Sequence, residues 1–301
     1  MLSRLPYRGR KGLGGLSSPC ADRGLDHAVE REKHLKPILN LRNLIMSEPS
    51  ESAPLALISE LKERLQIPFR PIEFIRKYPT FFHEFHPHPT PHPRPHVKLT
   101  PEASALTSEE SLLFQTTIYK QRTAARLLKL LMIRRICKIP LLTLKKLSWD
   151  LGLPPDFEKS VIPEFPDYFR VISGSGRRSE KLVELVCWME EFAGSETKKA
   201  TSGEVGVVQE IMNLFVGKKA EKEAVLDLGG CFGLRSKFNT AIVQHPGIFY
   251  VSNKMTGTQT QTVLLREAFR RGMLVSRDPL MDVRLKYVQL LKKKKKPKKD
   301  L

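Results

Sequence analysis

A proline-anchored segment occurs three times in this chain. FIRKYPTFFHEF from Phe74, VIPEFPDYFRVI from Val161 and AIVQHPGIFYVS from Ala241 align on Pro79, Pro166 and Pro246. Ile75, Ile162 and Ile242 lie four residues ahead of the proline, and Phe82, Phe169 and Phe249 three residues after it. About 13 residues upstream come Leu65, Gln66, Ile67, then Leu151, Gly152, Leu153, then Phe232, Gly233, Leu234. The prolines are 87 and 80 residues apart. Recurring anchors make each copy one supersecondary unit, so the chain is expected to be an array of such units rather than one continuous sheet.

Each copy reads the same way. A short helix ends before the proline, whose ring disfavours helix for the residue ahead of it. A β-prone aromatic stretch follows, at 81–85, 168–172 and 248–252. Turn residues come next, at 173–176 and 253–257, and a second strand returns at 181–186 and 261–265. In the first copy the return is expected at 96–100, after a long Pro/His loop. The expected fold is α+β, predominantly helical, with three repeated helix–helix–β-hairpin, winged-helix-like units. Such units often bind nucleic acid, but a fold alone does not establish function.

Charge sharpens the reading. The net charge is +19. It is carried by three blocks, and the rest of the chain is slightly acidic. The first holds Arg4, Arg8, Arg10 and Lys11 with hydroxyls and no acid, the composition of an organelle transit peptide. The last, 284–301, holds nine basic residues and one acid, Asp300, and its lysine run 292–296 with Lys298 and Lys299 is expected to repel itself and stay solvated. The middle block, 111–149, holds Lys120, Arg122, Arg126, Lys129, Arg134, Arg135, Lys138, Lys145 and Lys146 and no acid. Thr107 to Glu110 has capping-box spacing ahead of an apolar run, which predicts a helix start there. Arg122, Arg126 and Lys129 then share one helical face. A merely solvated face usually mixes signs, so this one is expected to contact phosphates. Arg266, Arg270 and Arg271 would add to it after the last hairpin.

Other chemistry finds little support. The cysteines, Cys20, Cys137, Cys187 and Cys231, include no closely spaced pair for zinc and too few bridges for a disulfide framework. The five histidines between His83 and His96 alternate with prolines that hold the segment extended, so they are not expected to converge on a metal. No apolar run reaches the length of a membrane span. P-loop, HExxH and GxSxG motifs are absent. The stretch 224–233, with Asp227, Gly229, Gly230 and Gly233, resembles the first nucleotide motif of S-adenosylmethionine methyltransferases. Too little chain follows it for a doubly wound sheet, and it fits the upstream part of the third repeat instead. Neither a catalytic residue nor a cofactor is expected.

Several ordered stretches carry a resemblance. They are LKPILNLR from Leu35, RKYP ending at Pro79, VKLTPEA from Val97, KLLM from Lys129, DLGLP from Asp150, FPDYFRV from Phe165, LVCW ending at Trp188, HPGIFYVS from His245 and TVLLREA from Thr262. Together they resemble the plant organelle RNA recognition family, which includes the What's This Factor proteins. The resemblance implies a noncatalytic RNA-binding protein of mitochondria, with the chloroplast as the alternative, that promotes splicing of group II introns. Its partners would be organellar intron-containing RNA and other splicing factors, with no membrane. It parts the chain into a transit peptide at 1–21, an RNA-binding domain at 22–291 and a Lys-rich tail at 292–301. The family supplies no RNA-contact motif, so Arg122, Arg126, Lys129, Arg134, Arg135, Lys138, Arg266, Arg270 and Arg271 rest on charge alone. One departure stands out: residues 193–208 are shorter than the family's aromatic- and proline-containing segment there. The competing readings are a nuclear winged-helix-like DNA-binding protein, the methyltransferase, and a scaffold for acidic partners.

Overall fold

The computed structural model describes residues 21–87, 95–174, 180–188, 203–254 and 261–293. The expected leader, most of the Pro/His loop, part of the 173–176 turn, most of the shortened 193–208 segment and the lysine tail from 294 onward lie outside the described residues.

Two helices, α1 (Arg23–Glu30) and α2 (Leu35–Ser47), open the described chain. Strand β1 (Ser52–Pro54), helices α3 (Leu55–Glu60) and α4 (Pro71–Lys77) and strands β2 (Phe82–Phe85) and β3 (His96–Leu99) follow. Helices α5 (Pro101–Gln115) and α6 (Thr117–Met132) lead into β4 (Lys138–Pro140), α7 (Leu141–Leu151), α8 (Phe157–Ser160), β5 (Phe169–Ser173) and β6 (Lys181–Leu185). Helix α9 (Glu204–Leu214) leads into β7 (Lys219–Glu221), α10 (Lys222–Cys231), α11 (Arg235–Gln244), β8 (Phe249–Ser252) and β9 (Thr262–Leu265). A small ribbon, β10 (Phe269–Arg270) with β11 (Met273–Leu274), precedes the last helix, α12 (Pro279–Lys292).

The result is a mixed α+β fold with small antiparallel sheets. Three of them have the same strand order, β1-β3-β2, β4-β6-β5 and β7-β9-β8. The central pairs correspond: Ala53 opposite Val97, Ile139 opposite Val183 and Ala220 opposite Val263, all buried. The proline segments also share one geometry. Tyr78, Phe165 and His245, each just ahead of its proline, have φ of −120°, −123° and −116° with ψ near 62°. Their carbonyls accept from the N–H groups three and four residues on, of Phe81 and Phe82, Tyr168 and Phe169, Ile248 and Phe249. This turn stops the helix, launches the strand and drops Phe82, Phe169 and Phe249 into the core. Upstream, Gln66, Gly152 and Gly233 are all left-handed, with φ of 59°, 66° and 66°. So are Glu51, Cys137 and Lys218, each just ahead of the first strand of its sheet, with φ of 46°, 56° and 50°.

One large apolar core joins α6 to β9, from Ala124 to Leu265. A second gathers α2 to α5 with Val283, Tyr287, Val288 and Leu290 of α12. The chain ends therefore cross over. The C-terminal helix packs on the first sheet's helices: Tyr287 donates to Glu110 at 3.2 Å and accepts from Arg42 at 2.7 Å, and Thr80 donates to the Leu290 carbonyl at 2.9 Å. The N-terminal helix packs on the third sheet, where Leu25, Ala28 and Val29 meet Tyr250 and Leu264.

One expectation about a helix start is corrected, and the methyltransferase resemblance set aside above finds no strand to rest on. The helix start expected at Thr107 lies inside α5, which begins at Pro101. Thr100 caps it by accepting from the Ala103 N–H, with proline in the first turn where its missing N–H costs nothing. Thr107 instead donates to the Ala103 carbonyl, and Glu110 is buried against Arg42. A new helix, α6, starts after Thr116, which accepts from the Tyr119 N–H. The methyltransferase-like stretch is helical in α10, not a strand with a glycine loop. Gly229 lets that helix close on Phe238: a Cβ there would sit 2.7 Å from the ring.

Candidate nucleic-acid interface

Helix α6 carries the first four cations of the middle block, Lys120, Arg122, Arg126 and Lys129, and its burial decides what they can present. It buries Tyr119, Thr123, Ala124, Leu127, Leu128, Leu130, Leu131 and Met132. Leucine at nearly every second position of its last two turns leaves little of the surface for charge. Arg122 is exposed and Lys129 half-buried. Arg126 is turned inward: its side chain is 13% exposed, lies 5.4 Å over the Tyr119 ring and meets Asp278 at 3.6 Å. The single exposed face expected of Arg122, Arg126 and Lys129 does not form, because an amphipathic helix this apolar is packed on most sides.

The acid-free block is not acid-free in space. Lys120 meets Glu164 at 2.7 Å, Lys145 meets Glu158 at 2.8 Å and Lys146 meets Asp227 at 2.9 Å. Lys138 reaches Glu184 on the neighbouring strand at 2.9 Å, and Arg170 reaches the same carboxylate from the other side at 2.8 Å. Hydrogen bonds from Lys138 and Arg170 hold the Glu184 carboxyl below the usual glutamate range. Those from Lys146 and Arg235 do the same for Asp227. The counter-charges come from other elements, which no window of sequence reveals.

Near the C-terminus, Arg266 is also engaged. It lies 3.3 Å from Asp22 and 5.0 Å over the Tyr250 ring, tying α1 to the third sheet. Arg270 and Arg271 are exposed at the β10–β11 turn, where Gly272 approaches Gly24 so closely that a Cβ would lie 2.5 Å from its carbonyl oxygen. Among the described residues, Arg122, Lys129, Arg134, Arg135, Arg270 and Arg271 form no ion pair. Of these, Arg134 and Arg135 stand together in a turn after α6, both with left-handed backbone, φ 52° and 55°. The Arg135 guanidinium lies 5.7 Å over the ring of Trp188, which is 38% exposed.

A groove of about 680 Å³ opens where the three sheets' helices meet. Asn40 and Asn43 of α2, Lys145 and Trp149 of α7 and Glu223 and Asp227 of α10 are among its lining residues. Its floor is a buried arginine: Arg284 of α12 stacks 3.5 Å over Trp149 and donates to the Trp149 carbonyl at 2.7 Å. Desolvation of its guanidinium lowers the Arg284 pKa from the ordinary arginine value. Next to the groove, burial pushes the Asp150 carboxyl up to about 7, with Lys36 opposing the shift and Glu221 adding to it. Sequence reasoning missed this junction, because Trp149 and Arg284 lie far apart in the chain and only folding brings the end of one basic block against the start of another.

Comparison with known proteins adds a family to this geometry. Residues 21–204 and 196–296 match the family model described as the plant organelle RNA recognition domain. The two matched pieces meet within the shortened 193–208 segment. The chain is 28% identical to Protein WHAT'S THIS FACTOR 9, mitochondrial, of Arabidopsis thaliana, over 89% of this chain and 82% of that protein. It is 25% identical to Protein ROOT PRIMORDIUM DEFECTIVE 1 of the same plant, over 90% of this chain and 82% of that one. It is also 25% identical to Protein WHAT'S THIS FACTOR 1, chloroplastic, of Zea mays, over 85% of this chain and 63% of that protein. No solved structure matches the chain.

Proposed function

The chain belongs to the plant organelle RNA recognition domain family, and from that premise we propose that it is a noncatalytic RNA-binding protein that promotes group II intron splicing in mitochondria. The observation that carries the reading is the family match, which spans nearly all the described chain. The mitochondrial assignment is supported by the similarity to a relative named as mitochondrial, and the chloroplast by relatives named as chloroplastic. Residues 1–21 would serve as the import leader, 22–291 as the RNA-binding domain and 292–301 as a basic tail.

The three small sheets with their helices fit winged-helix-like units. Each unit is read as helix, short strand, two helices and hairpin: α2 to β3, α6 to β6 and α9 to β9. RNA would be held on exposed cations, foremost Arg122, Lys129, Arg134, Arg135, Arg270 and Arg271. Arg126 and Arg266 would support the scaffold, and Lys138 would exchange Glu184 for phosphate only at a cost. Binding carried by several phosphate contacts falls steeply as salt rises. The intron RNA would supply the chemistry, and the protein would hold it in a competent shape, alone or with other splicing factors.

Sequencing the RNA that co-purifies with the tagged protein tests the reading. Intron-containing mitochondrial transcripts are the expected result, and chloroplast introns would move the compartment. RNA without introns would remove the splicing role, and absence of any enriched RNA would remove RNA binding.

A further inference from the structure

Between the helix that opens each unit and the left-handed residue ahead of its first strand, the three units differ. In the first, Glu48 ends α2 and Pro49 and Ser50 lead to Glu51. In the third, Phe215 ends α9 and Val216 and Gly217 lead to Lys218. In the second, Ile133 ends α6 and three residues, Arg134, Arg135 and Ile136, lead to Cys137. The extra residue turns the connection into a tight turn with Arg134 and Arg135 both left-handed. That conformation is costly for residues with a Cβ, and glycine or asparagine would adopt it more cheaply. Dipole complementarity at the helix end does not require both arginines, because the end is closed by backbone: the Cys137 N–H donates to the Leu131 carbonyl at 3.0 Å.

The turn places Arg135 against Trp188, just past β6. Trp188 and Val186 are 38% and 48% exposed. A half-exposed indole under an exposed guanidinium, beside a second exposed arginine, joins a flat π-surface to two positive charges. Duplex backbone needs only the charges, whereas an unpaired nucleotide uses both, its base stacking and its phosphate pairing with arginine.

We propose that Arg134, Arg135 and Trp188 form a site for one unpaired nucleotide of single-stranded RNA. The base stacks on the Arg135–Trp188 pair, and the neighbouring phosphate is held by Arg134. This rests on the RNA-binding reading above and adds to it a preference for unpaired RNA located in the second unit.

The test uses the full chain and fluorescence polarisation with three probes of stated kind: a 12-nucleotide single-stranded RNA, a duplex of the same length and a Glu-rich peptide of matched charge. Trp188→Ala is expected to weaken single-strand binding about tenfold and duplex binding less than about twofold. Trp188→Phe should restore most of the loss, since any aromatic face stacks. Arg134→Ala with Arg135→Ala should weaken single-strand binding further and flatten its salt dependence. Thermal melting of each variant confirms that the fold is kept. Single-strand affinity unchanged in Trp188→Ala overturns the proposal, as does an equal loss for both RNAs. Peptide binding as tight as RNA, and equally sensitive to Trp188→Ala, would assign the patch to a protein partner. A wild-type chain that binds neither RNA overturns the RNA-binding reading, and this one with it.

Discussion

The second and third units put the same framework to opposite uses. In the third, the connection after α9 buries Phe215 and Val216. In the second, one added residue turns the equivalent connection outward and exposes Arg134 and Arg135. The outer faces of their sheets differ in the same sense. On the third, Tyr250 and Leu264 pair across strands and are covered by α1. On the second, the corresponding pair is Arg170 and Glu184, with Lys138 alongside, and it faces solvent. Hydrophobic burial makes the third unit a place where the chain closes on itself. Charge on an equivalent frame leaves the outer face of the second uncovered by any helix among the described residues. Where a repeat departs from its sisters therefore says more about function than what the copies share.

The comparison breaks most visibly at the connections. Phe215→Ala should cost about 3–5 kcal/mol, because it empties a fully buried site. Arg134→Ala with Arg135→Ala should leave stability within about 1 kcal/mol, since neither side chain is buried. Denaturant melts of the two variants measure this directly. Similar losses in both would mean that the second connection is also structural.

The outer sheet faces give the next largest contrast. Val29 is 1% exposed against the third sheet, so Val29→Asp should cost about 3 kcal/mol by burying an unpaired carboxylate. Asp26, on the same helix, accepts from Tyr250 at 2.9 Å and from Ser252 at 2.6 Å, so α1 is also hydrogen-bonded to the strand it covers. Arg170→Ala on the outer face of the second sheet should cost under about 1 kcal/mol, because that side chain is 63% exposed. Equal melting points for the two variants would show that α1 is not a fixed cover.

Part of this contrast was legible in the sequence. The Pro79, Pro166 and Pro246 segments announced their turn because proline constrains its predecessor wherever the chain puts it. Strand β9 gave a warning too: Thr262, Val263, Leu264 and Leu265 are apolar or neutral on both faces, and all four are buried. The left-handed Gln66 was hidden, since glycine is the usual signal and only Gly152 and Gly233 supply it. The first strand of each sheet is three residues long, too short for alternation to show. The middle block misled because charge balance is a property of space. Glu158, Glu164, Glu184, Asp227 and Asp278 reach it from other elements, and only the folded chain brings them there. Trp188 lies within one of the family-like stretches, but its meeting with Arg135 depends on a turn with one residue more than its sisters.

A pH experiment sharpens the comparison at a third pair of positions. Asp150 lies two residues before the left-handed Gly152, and Cys231 two before the left-handed Gly233. Burial holds the Asp150 carboxyl up to about 7. In the unfolded chain it titrates near 4, so between about pH 4 and 7 the folded state holds a proton the unfolded state has lost. Its ionisation therefore lowers stability as pH rises through that window. Asp150→Asn removes the effect: its advantage over wild type should be near zero at pH 4, grow to pH 7 and stay level above. The full shift corresponds to a ceiling of about 4 kcal/mol, and the gain will be smaller because Lys36 loses a counter-charge. A difference that does not vary with pH would mean that Asp150 stays ionised at the junction.

The smallest effect belongs to the charged sheet face itself. Glu184 accepts from both Lys138 and Arg170, and these bonds lower its carboxyl pKa. A lowered folded-state pKa means that the contribution is present at neutral pH and disappears as pH falls through that value. Glu184→Gln should thus shift the melting temperature by only about 1–2 °C at pH 7 and not at all in acid, because exposed ion pairs are weak. High salt should erase even that. RNA binding is expected to move the other way: with its carboxylate gone, Lys138 and Arg170 are released toward phosphate, and affinity should rise about twofold at low salt. If affinity instead falls, the acid is positioning these two cations for RNA rather than holding them from it. The second sheet would then be built for binding across its whole outer face, and not only at the arginine turn beside it.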